Sequence, residues 1–200
     1  MPGMQWGPAW EGLGMRGNSS RSLKITNVHL GAKHILGEKG DQLWYVFNVV
    51  APYFLSAMAG TYLGVAARAF HEAKTALSQR VYSHSGSGLA QNSVLQHRLG
   101  TLWAKLESAR RLIYHSAQLG DSSSPDALCS ILASKAEIAG CAVEIVNEAM
   151  TLAGGMGYQE SSVLGMLLRD ARAAHVMSPT TDLLYTWLGR VLLDQPILSD

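Results

Sequence analysis

Near the C-terminus, Ser178-Pro179-Thr180-Thr181-Asp182 places three hydroxyls, a proline and a carboxylate ahead of an apolar run beginning at Leu183. That order predicts a helix start. Ser178 is the expected N-cap, Pro179 the first helical residue, and Asp182 an acid in the first turn. The free N–H groups and positive dipole end of such a start suit an anion, phosphate above all. Gly154, Gly155 and Gly157 form a second candidate group, because glycine allows the turn that ends a helix and lets a ligand approach the backbone closely. Metal chemistry is poorly served. The seven histidines form no His-x3-His or His-Glu-x2-His, and no second cysteine lies two to four residues from Cys129 or Cys141, so no zinc site is expected.

The elements that must carry these groups are mostly helical. Leu95, Leu99, Leu102, Leu106, Ala109 and Ile113 step by four and three, which predicts a helix over about 89–119. After the loop at 120–126, Ser124 and Pro125 read as a helix start, with Leu128, Leu132, Ala136, Ala139, Val143, Val146 and Met150 on one face of the helix that follows. That helix is expected to stop at Gly154. A shorter helix over 161–177 leads to Ser178.

Between Asp41 and Arg68 the chain carries no charge at all. Length alone would let this stretch span a bilayer, and Gly60 and Gly64 supply a Gly-x3-Gly pair. Asn48, Pro52, Ser56 and Thr61 dilute it and amphipathic helices follow, so a buried central helix is the expectation and no membrane is invoked. Residues 1–40 are rich in glycine, and 22–30 alternates as an isolated strand does, with Leu23, Ile25 and Asn27 on one face. The chain thus divides into 1–40, a β-rich remnant, and 41–200, a helical bundle.

Sixteen Lys and Arg against fifteen Asp and Glu give a net charge of +1, which excludes a general electrostatic footprint for nucleic acid. Cys129 and Cys141 lie twelve positions apart in one expected helix, too far along its axis to pair. With no secretory signal pattern at the N-terminus, a reduced, cytoplasmic setting is expected.

The order of several motifs resembles the C-terminal part of the acyl-CoA dehydrogenase family. They are GLGMRGNSS at 12–20, LKITNVHLGAKHILGEKG at 23–40, LGVAARAF at 63–70, LAQNSVLQHRLGTLWAKLESAR at 89–110, AGGMGY at 153–158 and LLRDARAAHV at 167–176. The resemblance implies a mainly α fold, a C-terminal four-helix bundle after the end of a middle β domain, with FAD at a subunit interface. It also implies that an N-terminal helical domain and most of the β domain are missing, and that partners are homo- or hetero-oligomeric flavoprotein subunits acting on an acyl thioester.

Residue by residue, the resemblance places cofactor contacts at Gly154, Gly155, Thr180 and Asp182, with a displaced Arg80, near His84 and Ser85, for the family's arginine. Thr151 replaces a glutamine. Ser178 stands where many members carry the glutamate that removes the α-proton, and a serine without a partner base cannot do that work. Phe54, where other members place the glutamate, is apolar; Pro52 and Leu55 replace an Asp and Arg near the thioester. No catalytic residue is assigned. The expectation is the C-terminal part of an FAD-dependent oxidoreductase lacking the usual base; a flavin-dependent monooxygenase relative, which dispenses with the glutamate, and a non-catalytic helical assembly subunit remain open. Arg169, Asp170 and Arg172 read as an ion-pair set, and Trp103 and Trp187 as core or interface anchors.

Overall fold

The computed structural model describes residues 2–83 and 86–198; His84 and Ser85 lie outside the described residues. Two short strands, β1 (Met4–Trp6) and β2 (Leu23–Ile25), pair antiparallel with Gln5 opposite Lys24. The strand over 22–30 is therefore not isolated. Its partner, Met-Gln-Trp, is too short to show a period in sequence.

Five helices follow. Helix α1 runs over Gln42–Gln79 without a break, but with a π-helical segment at Val46–Val50. Pro52 explains the widening: it lacks an N–H and its ring crowds the carbonyl four residues back, so the turn upstream opens. The others are α2 (Ser93–Asp121), α3 (Ala127–Ala153), α4 (Val163–Val176) and α5 (Thr181–Leu192). Asn92 caps α2, its side chain accepting from Val94 and Leu95 N–H.

The central helix is α3, not α1. Besides the face that carries Leu132, Ala136, Ala139 and Val146, α3 buries Ile131, Ile138, Ala142, Ile145, Ala149 and Leu152. It packs against α1, α2, α4 and α5. Alanines at its contact with α1, Ala59, Ala66, Ala69 and Ala73 on one side and Ala139, Ala142 and Ala149 on the other, are all buried and let the axes lie close. In α1 only the second half is amphipathic and packed, from Leu55 to Leu77. Leu43, Trp44, Val50 and Phe54 in its first half are exposed. Gly60 and Gly64 face outward, with nothing near where a side chain would project. The uncharged stretch fails as a central helix because its apolar residues surround the whole helix while the bundle covers only one side of it. By length and composition α1 is long and apolar enough to cross a membrane.

The glycine-rich loop before β2 docks on α4. Met15 N–H donates to Asp170 Oδ1 at 2.6 Å, and a Cβ on Gly14 would lie 2.4 Å from the Arg169 carbonyl oxygen. Asp170 thus binds backbone, and no ion pair joins it to Arg169 or Arg172 among the described residues. Trp103 is exposed and so is no core anchor; Trp187 meets Phe47 edge to face, with ring centroids 5.9 Å apart.

Candidate functional site

The expected residues fall into two groups, one at the C-terminal end of α3 and one beside its N-terminal half. At the C-terminal end, Gly154 adopts φ 63°, ψ −150°, a region essentially restricted to glycine. A Cβ there would lie 3.2 Å from Arg80 Nη1, so the guanidinium lies beside this turn. Gly155 is exposed, with nothing within 4 Å of where its Cβ would be. Arg80, Gly154 and Gly155 are therefore together, as a cation beside an open stretch of backbone. Thr151 spends its hydroxyl on the Asn147 carbonyl of its own helix.

The second group sits at the start of α5. The N-cap is Thr180, not Ser178, and the helix begins at Thr181 rather than Pro179. Thr180 is extended and its hydroxyl accepts from Leu183 N–H at 3.4 Å. That extended backbone keeps Leu183 N–H away from the Pro179 carbonyl. A residue that the sequence reading missed, Lys135, donates to that carbonyl from Nζ at 2.9 Å, supplying the donor that an earlier helix start would have taken from Leu183. Ser178 is left exposed in the turn, and its peptide bond to Pro179 is cis. At Ser124 the same logic does hold locally, since its hydroxyl accepts from Asp126 N–H, though α3 begins at Ala127.

Lys135 is the one charged side chain among the buried described residues, 1% exposed. It has no acid partner among the described residues. Its second bond, 2.8 Å, goes to the Ala174 carbonyl in the last turn of α4, where carbonyls lack helical partners and a cation is favoured by the dipole. Burial pushes its pKa below the ordinary lysine value. His175, beside it, is also pushed down, first by burial and then by the Arg172 and Lys135 charges; its Nδ1 lies 3.3 Å from Thr181 Oγ1. The imidazole is thus engaged with Thr181, and among the described residues no imidazole or carboxylate bonds to Ser178.

A sequence signal for Lys135 existed. Ile131, Lys135, Ile138, Ala142, Ile145, Ala149 and Leu152 form a second stripe at helical spacing, and a lysine inside it must be buried or mark a solvated edge. Phe54 is exposed and Leu55 buried, so the first helix presents no acid or base at those positions.

Lys135 and Ala153 are eighteen positions apart along α3, about 27 Å of rise. Thr180 and Asp182 therefore cannot share one diphosphate with Arg80 and Gly154 of the same chain.

This architecture is a helical bundle behind a two-stranded β piece, with groups suited to anions toward each end of its central helix. Residues 56–193 match the family profile described as acyl-CoA dehydrogenase, C-terminal domain, and the chain belongs to the acyl-CoA dehydrogenase family. It is 27% identical over 194 residues to an acyl-CoA dehydrogenase of Bacillus subtilis, covering 96% of this chain and 50% of that protein. To the human mitochondrial short-chain specific acyl-CoA dehydrogenase it is 29% identical, over 91% of this chain and 43% of that one. The fold matches the butyryl-CoA dehydrogenase structure from Megasphaera elsdenii with a TM-score of 0.88 at 24% identity, covering 96% of this chain and 49% of that one. The chain spans about half the length of the relatives it matches.

Members of this family are flavin-dependent oxidoreductases that use FAD. The residues present fit the phosphate part of such a group: an α5 start with free N–H groups, and an open glycine backbone next to a guanidinium.

Proposed function

We propose that this chain supplies the C-terminal bundle of an FAD-dependent oxidoreductase and contacts FAD from two sites that serve two different cofactor molecules. The separation of about 27 Å along α3 carries this reading. One cofactor takes the α5 start, with Thr180 and Asp182. The other takes Arg80 and the Gly154–Gly155 turn, contributed across an interface to a neighbouring subunit. Thr180 presents its hydroxyl, the first turn of α5 presents N–H groups, and Arg80 presents a charged fork, each matched to phosphate oxygens. FAD, when bound, supplies the two-electron acceptor.

At the positions where the family resemblance places a base, the described residues of this chain bring none. Ser178 is exposed without a partner base, and Phe54, Pro52 and Leu55 cannot exchange protons. Proton abstraction from an acyl thioester thus needs a group from outside the described residues, or the chemistry is another one. The exposed apolar first half of α1, with Leu43, Trp44, Val50 and Phe54, supports assembly with a further flavoprotein subunit.

Co-expression with a polypeptide that carries a middle β domain of this family tests the proposal. Yellow protein containing FAD, in which the Arg80→Ala chain on one subunit leaves half the flavin weakly held, is the expected result. Colourless complexes, or flavin held equally by Arg80→Ala chains, would overturn it.

A further inference from the structure

We propose that Lys135 is a positioning residue that holds the start of α5 in the shape that receives a diphosphate. The proposal rests on reading the α5 start as a phosphate contact.

The geometry is that of a clamp closed from the inside. Four residues, Met177 to Thr180, connect α4 to α5, and nothing in the sequence of that turn rigidifies both of its sides. Lys135 reaches both. Its ammonium bonds to the Ala174 carbonyl before the turn and to the Pro179 carbonyl after it. The lysine stands on α3, the most completely packed helix of the bundle, so the turn inherits the rigidity of the core. The bond to Pro179 also gives that carbonyl a donor while Leu183 N–H bonds to the Thr180 hydroxyl, so both groups are satisfied with α5 beginning at Thr181. With the helix beginning at Thr181, the N–H groups that lack helical partners are those that follow Thr180. A start one turn earlier would turn Thr180 into a mid-turn residue and aim its hydroxyl elsewhere.

The site chemistry agrees with the clamp. An ammonium bound to two neutral carbonyls, with no carboxylate partner among the described residues, places positive charge behind the α5 start and adds to the positive end of the helix dipole. Asp182 on the first turn is exposed and faces solvent rather than the amine. An anion arriving at Thr180 and Thr181 therefore meets donors fixed from behind by a cation that it need not touch. A buried lysine is a costly way to close a turn.

The test uses the full 200-residue chain, isotope-labelled and titrated with inorganic pyrophosphate while amide resonances are followed. In the wild type, amides of Thr181 to Leu183 are expected to shift saturably. In Lys135→Met the apparent affinity at these amides falls about tenfold, while the ligand-free resonances of Gly154 to Gly157, at the far end of α3, stay in place. Lys135→Gln, which keeps one neutral donor of similar reach, falls between the two and carries the same comparison if the methionine variant does not fold. Unchanged pyrophosphate affinity in a folded variant overturns the positioning role. So does an affinity loss accompanied by resonance changes throughout the bundle, which would make Lys135 a general stabiliser. If wild-type α5 amides never respond to pyrophosphate, the diphosphate reading falls and the role of Lys135 falls with it; a response that survives in Lys135→Met overturns the role of Lys135 alone.

Discussion

The two ends of α3 solve the same problem by opposite means. At the Lys135 end, a loop is shaped by a fully buried cation that bonds two carbonyls. At the Gly154 end, the loop is shaped by its own backbone, in a conformation that only glycine adopts cheaply, and the cation beside it, Arg80, is exposed. The first geometry is imposed by the core and the second by local sequence. Damage should therefore differ in kind: substitutions at the Lys135 end disturb a distant turn, and those at the Gly154 end disturb only themselves.

The largest effect is expected from Lys135→Met. Each carbonyl left without a donor costs about 1–3 kcal/mol, offset in part because an ammonium is no longer buried. A net loss of about 3 kcal/mol, read from chemical denaturation, with hydrogen exchange accelerated at α5 amides, fits the contrast. A loss confined to α3 amides would erase it. Next comes Gly154→Ala. Forcing φ 63°, ψ −150° on a residue with a Cβ costs about 2 kcal/mol, with faster exchange only around the Gly154 turn; faster exchange at α5 would show that the two ends are not independent.

The capping pair gives a smaller and reversed test of the sequence reading. Thr180→Ala removes the hydroxyl that accepts from Leu183 and should lower stability by about 1 kcal/mol. Ser178→Ala, in the exposed turn, should stay within about 0.5 kcal/mol of wild type. Equal losses would mean that both hydroxyls cap. The smallest effect is one of pH. The pKa of His175 is lowered in the fold, by burial first and then by Arg172 and Lys135, so the folded protein binds its proton less readily than the unfolded chain does. Its contribution to stability is thus complete above the unfolded value of about 6.5 and is lost as pH falls through the folded value. Melting temperatures measured from pH 7.5 to 5 should fall, and His175→Gln should flatten part of that fall; an unchanged slope would place the pH response elsewhere.

The helices were legible because their apolar residues repeat at helical spacing, and the stop at Gly154 because glycine punctuates a helix whatever surrounds it. Three things were not. The partner strand Met4–Trp6 is too short for periodicity. Which helix lies at the centre depends on how many neighbours surround it, and α1 and α3 both read as strongly apolar; only the second apolar stripe of α3, with Lys135 in it, separates them. The cap at Thr180 was hidden because Ser178, Thr180 and Thr181 are all capable of capping, and the turn that presents Thr180 is held by a lysine forty-five positions upstream of it. The clustering of Arg80 with Gly154 followed from the family resemblance, whereas their distance from Thr180 follows from the length of α3.

The bond between Met15 and Asp170 spans 155 positions of sequence, and that separation bears on how the protein is made. At about 5–20 residues per second of synthesis, roughly 8 to 30 seconds pass between the appearance of Met15 and that of its acceptor. Gly14 and Met15 have no earlier docking place on α4. Their loop emerges before the bundle and can dock only once α4 exists, so residues 1–40 wait undocked until most of the chain has been made.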